Sequence, residues 1–397
     1  MHLSSSVGKA LALLLLTPAL SAAQGAAPGD IANTVREVQQ YGFAIHILAM
    51  LLVGFGFLMV FANRYGYSAV TGTYLVVAAG VPLYIGLRAS GVLSAEAVEP
   101  HSIRALLLAE FAVASALIAA GAVLGRVRLY QYALLAALMV PLYMLNERLV
   151  LDGGLGITKG FTDAAGSITI HAFGAYFGLG LAVALTSQRQ RTVEISSDAA
   201  SNRFSMIGSM VLWLFWPSFC CAVVPPGQLA ATAVNTVIAL CGATMSTYVF
   251  SSILGKGKVA IADMANAALA GGVAIGATCN VVPIPFAFAI GMLSGALCVF
   301  GYAFVQPRLQ RRLRIVDTCG VHNLHGMPGL LGGLAAVVVL PGAAAAQVTG
   351  IAVTVLLALS GGLVAGFVIR ATGAKQSAYE DAEDFTGTEE HAVPAVG

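Results

Sequence analysis

Long apolar runs recur along the chain, separated by short polar turns, at roughly 41–61, 69–91, 103–125, 129–150, 165–186, 203–222, 229–253, 260–280, 285–307, 322–340 and 347–370. Each is close to the ~20 residues that a helix needs to cross a bilayer. The pattern therefore predicts about eleven transmembrane helices at that length, an all-α polytopic membrane protein. Ahead of them, Lys9 precedes the run LALLLLTPAL, which is too short to span, and the small-residue tract SAAQGAA suits cleavage. Residues 1–25 read as a secretory signal peptide whose removal leaves the mature N-terminus outside; the alternative is an uncleaved short first helix. The membrane domain runs over 26–370, and the polar, acidic stretch 371–397 (YEDAEDFTGTEE) is expected to be a flexible cytoplasmic tail.

Composition agrees with this division. Of the 397 residues, 58% are apolar and 10% charged, with a mean hydropathy of +0.86, outside the range of an ordinary soluble domain. Lys and Arg concentrate in cytoplasmic loops. With the N-terminus outside, Arg64, Arg126, Arg128, Arg189, Arg191, Arg203, Lys256, Lys258, Arg308, Arg311, Arg312, Arg314, Arg370 and Lys375 face the cytoplasm. Only Arg36, Arg88, Arg104, Arg148 and Lys159 face out. One missed helix would invert every later loop, so this asymmetry supports the helix count as well as the orientation. The net charge of +2 reflects topology and implies no nucleic-acid partner. The cysteines, Cys220, Cys221, Cys241, Cys279, Cys298 and Cys319, lie in or beside apolar runs without metal-ligand spacing. They read as small buried hydrophobes. No phosphate loop, nucleophile elbow or HExxH is present, and no cofactor is implied.

One stretch occurs twice. Asp163 to Gly178 reads DAAGSITIHAFGAYFG and Asp317 to Gly332 reads DTCGVHNLHGMPGLLG, aligning Asp163/Asp317, Gly166/Gly320, Ile170/Leu324, His171/His325 and Gly178/Gly332. This is a repeat of about 154 residues. In the predicted topology the His171 helix enters from outside and the His325 helix from the cytoplasm. The halves, about 41–186 and 203–340, are thus inverted, and the helix at 347–370 follows them. Each histidine lies eight residues inside its aspartate, or about 12 Å along a helix. The hydrocarbon half-thickness is roughly 15 Å, so both imidazoles arrive near the midplane. Gly174, Gly178, Gly329 and Gly332 are expected to let the two helices approach closely.

A charge at that depth is expensive. Neutral histidines that hydrogen-bond each other lower the cost, and the pair reads as lining a narrow polar stripe in an apolar path. A lone intramembrane histidine is equally well a helix-to-helix hydrogen-bonder, which is the reading for His46 and His322. A carboxylate that opens a helix is most often an N-cap or dipole partner. Asp317 reads as structural, and Asp163 as both a cap and an entrance group.

The segments DAAGSITIHAFGAYFG, SMIGSMVLWLFWPSF, NAALAGGVA and DTCGVHNLHGMPGLLGG resemble the Rhesus glycoprotein branch of the ammonium transporter superfamily, over about 41–370. The resemblance implies a homotrimer of eleven-helix protomers in the lipid bilayer of a bacterial inner membrane, each with a narrow pore for ammonia drawn from ammonium. It implies a mid-pore histidine pair, matching His171 and His325, and stacked outer phenylalanines, matching Phe111 (AEFAVAS) and Phe219 (FWPSF). It also implies an entrance acid at Asp163, and Glu147 resembles an outer-vestibule carboxylate. Where many relatives continue WPSF with Asn-Ser, this chain has Cys220 and Cys221. The tryptophan and serine that bind the cation outside in ammonium transporters have no evident counterpart, which favours weak, high-capacity conduction. Three other readings remain open: a carbon dioxide channel, a b-type haem electron-transfer subunit with the histidines as axial ligands, and a solute-coupled secondary transporter. The haem reading is disfavoured by a single histidine pair at matching depth, and the coupled transporter by the lack of charged residues in mid-span. None of the conduction readings involves covalent chemistry, so the chain is not expected to be an enzyme.

Overall fold

The computed structural model describes residues 31–93, 98–154 and 156–388. The signal-peptide expectation for 1–25 lies outside the described residues. Contacts divide the chain into two units, Met1–Val38 and Gln39–Gly397. Of the first, residues 31–38 are helical, and 33–38 are exposed.

Every regular element among the described residues is a helix, and none is a strand. The spans are α1 (Asn33–Phe61), α2 (Gly66–Ala89), α3 (Ile103–Ala122), α4 (Leu129–Val150), α5 (Ser167–Leu185), α6 (Ala199–Cys221), α7 (Pro226–Leu254), α9 (Ile284–Leu313) and α11 (Pro341–Ala371). Among the described residues these 9 are long and apolar enough to cross a membrane. Two shorter elements complete the order: α8 (Ile261–Ile275), and α10, which begins as His322–Gly326 and continues as Met327–Val339. The boundaries follow local chemistry. Ser102 caps α3 by accepting from the Ala105 N–H at 3.1 Å, and Asp198 caps α6 by accepting from the Ser201 N–H at 2.8 Å.

α3 and α5 are the most enclosed spans, each 89% buried over its apolar core window. Their enclosure follows from small residues. Gly174 in α5 lies so close to α3 that a Cβ would come 2.6 Å from the Ser115 carbonyl oxygen, and at Gly178 it would come 2.8 Å from the Ala122 methyl. Both glycines therefore serve the α3–α5 contact and not, as expected from the sequence, the contact between α5 and α10. Gly329 and Gly332 do serve that contact: a Cβ on Gly329 would stand 2.5 Å from the Ser167 carbonyl oxygen, and one on Gly332 2.6 Å from Ser167 Oγ. Ser115 adds a bond across the α3–α5 seam, its hydroxyl donating to the Ile170 carbonyl at 2.8 Å.

The tail corrects another expectation. Through residue 388 it is packed, not a free polar end. The Lys375 side chain is fully buried, pairing with Asp384 at 2.6 Å and Glu383 at 3.8 Å. Asp381 accepts from the backbone N–H groups of Tyr67 (3.0 Å) and Ser68 (2.8 Å), at the start of α2. Tyr379 donates its N–H to the Gly125 carbonyl at 2.9 Å. Next to it the buried Arg126 guanidinium joins the end of α3 to the end of α5 and to the turn before α10, donating to Thr186 Oγ1 at 2.9 Å and to Thr318 Oγ1 at 3.1 Å. The acidic composition of 371–397 describes a solvated chain, but specific pairing to one buried lysine overrides it.

Removing Lys375 strands the carboxylate of Asp384. Lys375→Ala is expected to destabilise the protein by about 3–5 kcal/mol, the usual cost of breaking a buried pair. It should also expose the tail to protease. Thermal unfolding in detergent with limited proteolysis checks this, and an unchanged melting temperature with an intact tail would refute the role of the pair.

Candidate functional site

The two copies of the repeated stretch fold alike. In each, an aspartate, a left-handed glycine and an opening π-helical turn bring a histidine into the protein. Asp163 accepts from the N–H groups of Ile168 (3.0 Å) and Thr169 (2.7 Å) and from the Thr169 hydroxyl (2.9 Å). Asp317 accepts from the N–H groups of Val321 (3.0 Å) and His322 (3.1 Å). Gly166 and Gly320 have φ of 79° and 67°, a conformation open to glycine and costly for most side chains. His171 then lies in the π turn Ser167–Ala172 and His325 in the π turn His322–Gly326. Single π turns inside helices recur at functional sites. Burial pushes each of the two capping carboxyls up to about 6, against the hydrogen bonds that pull them down.

These turns bring the histidines together. Nδ1 of His171 stands 3.2 Å from Nδ1 of His325, and the rings stack with centroids 5.3 Å apart and planes 11° apart. Both are buried, 3% and 5% exposed. One shared proton fixes the tautomers. The ring that donates through Nδ1 has a bare Nε2, and the ring that accepts carries its proton on Nε2. The pair so presents one acceptor and one donor away from each other. Nε2 of His171 is buried without a protein partner.

The aromatic rings continue the line in both directions. Phe111 and Phe219 meet edge to face at 4.8 Å between centroids, and Phe219 lies 5.9 Å from His171. Beyond the pair, Phe55 stacks on His325 at 6.5 Å. His325 opens on a cavity of about 260 Å³ lined by Phe55, Leu58, Leu117, Ile118 and Leu324, with Ser197, Asn202, Ser205 and Thr318 also on its wall. Trp216 is the residue that the sequence reading missed. It is 3% exposed and stacks on His171 at 5.7 Å with planes 22° apart, and its Nε1–H has no protein partner. The three-residue spacing of Trp216 and Phe219, which puts them on one helical face, was the available signal.

The carboxylates fall elsewhere. All three donors of Asp163's cap belong to α5, so this residue orients the helix, while its Oδ1 is buried without a partner. Glu147 is not an open acid. It accepts from the Tyr84 hydroxyl at 2.8 Å and stands 3.6 Å from Arg88, its side chain only 9% exposed. Asp317 caps the start of α10 through the Val321 and His322 N–H groups. His46 bonds Ser218 Oγ at 2.8 Å and stacks on Phe215, a helix-to-helix bond of the kind read from the sequence. His322 packs edge-on against Tyr176 at 5.7 Å, outside the pair. Among the described residues no group of three or more His, Cys, Asp or Glu stands close enough to hold a metal.

Cutting the cap should loosen the turn that carries His171. Asp163→Ala is expected to cost about 1–3 kcal/mol for the stranded donors. Thermal unfolding measures it, and the equivalent Asp317→Ala should behave alike; a melting temperature equal to the parent's in both would refute the capping role.

The model of the ammonium transporter family matches residues 12–385. The chain is 38% identical over 319 residues to the Rattus norvegicus "Ammonium transporter Rh type A", covering 78% of this chain and 69% of that protein. It is 44% identical over 297 residues to the Oryctolagus cuniculus "Ammonium transporter Rh type B", covering 72% of this chain and 62% of the rabbit protein's length. Among solved structures it is similar to Rh50 of Nitrosomonas europaea, which belongs to the Rhesus protein family of channels. That match has 61% identity, a TM-score of 0.89, and covers 89% of this chain and 93% of that one. A sensor Amt protein at 20% identity and a TM-score of 0.72 shares the fold.

Proposed function

From the premise that this chain belongs to the ammonium transporter family, we propose that it is a channel that passes ammonia as the neutral molecule along the line from Phe111 and Phe219 through His171 and His325 to the cavity. The observation that carries the reading is the unbroken aromatic and imidazole column: Phe111 to Phe219 at 4.8 Å, Phe219 to His171 at 5.9 Å, His171 to His325 at 5.3 Å and His325 to Phe55 at 6.5 Å.

The chemistry follows from cost. An ammonium ion in this column would lose its hydration among apolar walls, at a cost from about 3 to well over 10 kcal/mol. Ammonia is small and uncharged, accepts one hydrogen bond and donates three. Ammonium gives its proton to the water outside the phenylalanine gate, which becomes hydronium and stays there, and the ammonia crosses. The bare Nε2 of one imidazole accepts from it and the protonated Nε2 of the other donates to it. On reaching the cavity it meets Ser197, Asn202 and Thr318, regains water there and is reprotonated. Trp216 holds the His171 ring from one side, so the imidazole keeps its orientation while ammonia passes.

We place the gate outside and the cavity with the docked tail in the cytoplasm, which the loop charges support. We also propose three copies side by side in a bacterial inner membrane, the assembly that the resemblance of the sequence motifs implies. The column also admits carbon dioxide, an apolar gas that needs no hydrogen-bonding station. Asp163 acts through the position of the helix that it caps, and Glu147, paired with Arg88 and Tyr84, is not free to attract a cation.

Reconstituted chain in proteoliposomes tests the reading by pH-coupled flux. Loss of one hydrogen-bonding station worth about 1.4 kcal/mol lowers the rate about tenfold, so His171→Ala and His325→Ala are each expected to conduct ammonia about tenfold more slowly than the parent at that cost. Carbon dioxide flux in the same vesicles should be unchanged. Parent-like ammonia flux in both variants would sink the proposal.

A further inference from the structure

The buried carboxyls among the described residues are engaged, with one exception. Asp163 and Asp317 cap their helices, Glu147 accepts from Tyr84, and Asp381 accepts from the start of α2. Glu110, in α3, is 0% exposed, and neither of its oxygens has a partner in the protein. Native proteins leave few buried polar groups without a partner, and this one directly precedes Phe111.

Helical geometry sets the face on which Glu110 stands. At 3.6 residues per turn, position 110 falls between Leu117 and Gly121 in rotation about α3, and about 10 Å nearer its start than Leu117. Leu117 and Gly121 both wall the cavity on which His325 opens. Phe111 is related in the same way to Ile118, about two turns on, and Ile118 is on that wall too. The other faces of α3 are turned elsewhere. Val113 meets α2, where a Cβ on Gly80 would come 2.6 Å from its methyl, and Ser115 and Ala119 meet α5 at Gly174 and Gly178. The Glu110 carboxyl therefore belongs to the face that lines the path, at the level of the phenylalanine gate.

Its chemical form follows from cost. A carboxylate inside the span with neither a cation nor a donor beside it would bear its whole desolvation, so the group keeps its proton. A neutral carboxyl offers one O–H donor and a carbonyl acceptor, the same complement that the imidazole pair presents. We propose that Glu110 is a specificity-determining residue of the passage: a neutral acid that binds ammonia at the gate, its O–H donating to the ammonia nitrogen and its carbonyl accepting an ammonia N–H. Complete transfer of the proton would leave an ammonium–carboxylate pair among apolar groups, which desolvation opposes. No bond is broken, and the acid is unchanged when the molecule moves on to His171. Carbon dioxide has no hydrogen to donate and gains nothing comparable from it. The effect on flux rests on the conduction reading; the binding of ammonia by the carboxyl does not.

The full chain in proteoliposomes is read by infrared spectroscopy and by flux. In the difference between the parent and Glu110→Gln, the carbonyl stretch of one protonated carboxyl is expected at neutral pH, and ammonium chloride should move it to lower frequency, as a new hydrogen bond does. Glu110→Leu is expected to conduct ammonia about tenfold more slowly than the parent, with carbon dioxide flux unchanged. Glu110→Gln, which keeps a donor and an acceptor, should conduct severalfold faster than Glu110→Leu. Because the carboxyl has no protein partner to lose, Glu110→Leu should melt no lower than the parent, which separates lost binding from lost fold. An ionised Glu110, a band that ammonium leaves unmoved, or ammonia flux through Glu110→Leu equal to the parent's would overturn the proposal. A parent that conducts no ammonia contradicts the conduction reading instead, and the shift of the infrared band then decides by itself whether Glu110 binds ammonia.

Discussion

A charge stripped of water in an apolar passage costs more than a hydrogen bond can return, and the arrangement of this protein follows from that inequality. The column from Phe111 to Phe55 holds imidazoles where a carboxylate or an ammonium group would have to be neutralised. Two histidines facing through Nδ1 atoms 3.2 Å apart satisfy each other with one proton. Neither needs a charged partner, and in the proposed passage each keeps a nitrogen for ammonia. A polar stripe is thereby available in the interior with no ion buried to hold it.

Placing two rings this closely requires two helices that begin alike and come together. The aspartate caps, the left-handed glycines and the π turns perform that placement twice, in segments about 154 residues apart. The π turn is the local consequence. It inserts an extra residue where the helix leaves its cap and turns the imidazole toward its twin, while Gly329 and Gly332 remove the side chains that would keep α10 away from α5. Small residues set the contact on the other side as well, where Gly174 and Gly178 admit α3. The helix that carries Phe111 is thus held against the helix that carries His171.

The spans were legible because hydropathy at that length has few alternatives, and the histidines because the repeat marks them twice. Phe111 and Phe219 are ordinary aromatics by composition, and only the resemblance of their surrounding motifs distinguished them. Several features were not written in any local pattern. The π turns depend on hydrogen bonds between the Asp caps and the chain that follows them. The stacking of Trp216 on His171 joins α6 to α5. Glu147 looked like an open acid because Arg88 and Tyr84, which engage it, lie about 60 residues away. The tail looked mobile because its charge is net acidic, but a single buried lysine, an aspartate on the start of α2 and Tyr379 against Gly125 decide its fate.

The protonation of the histidine pair is the quantity on which the neutral passage stands. Solid-state nitrogen NMR of labelled histidine in the liposome-embedded chain reads it directly, with His171→Ala and His325→Ala assigning the signals. Two neutral rings at neutral pH, one protonated and one bare at Nδ1, are the expected spectrum. An imidazolium signal from either ring under conditions in which ammonia flows would mean that a charge resides in the column, and conduction of the uncharged molecule would have to be abandoned.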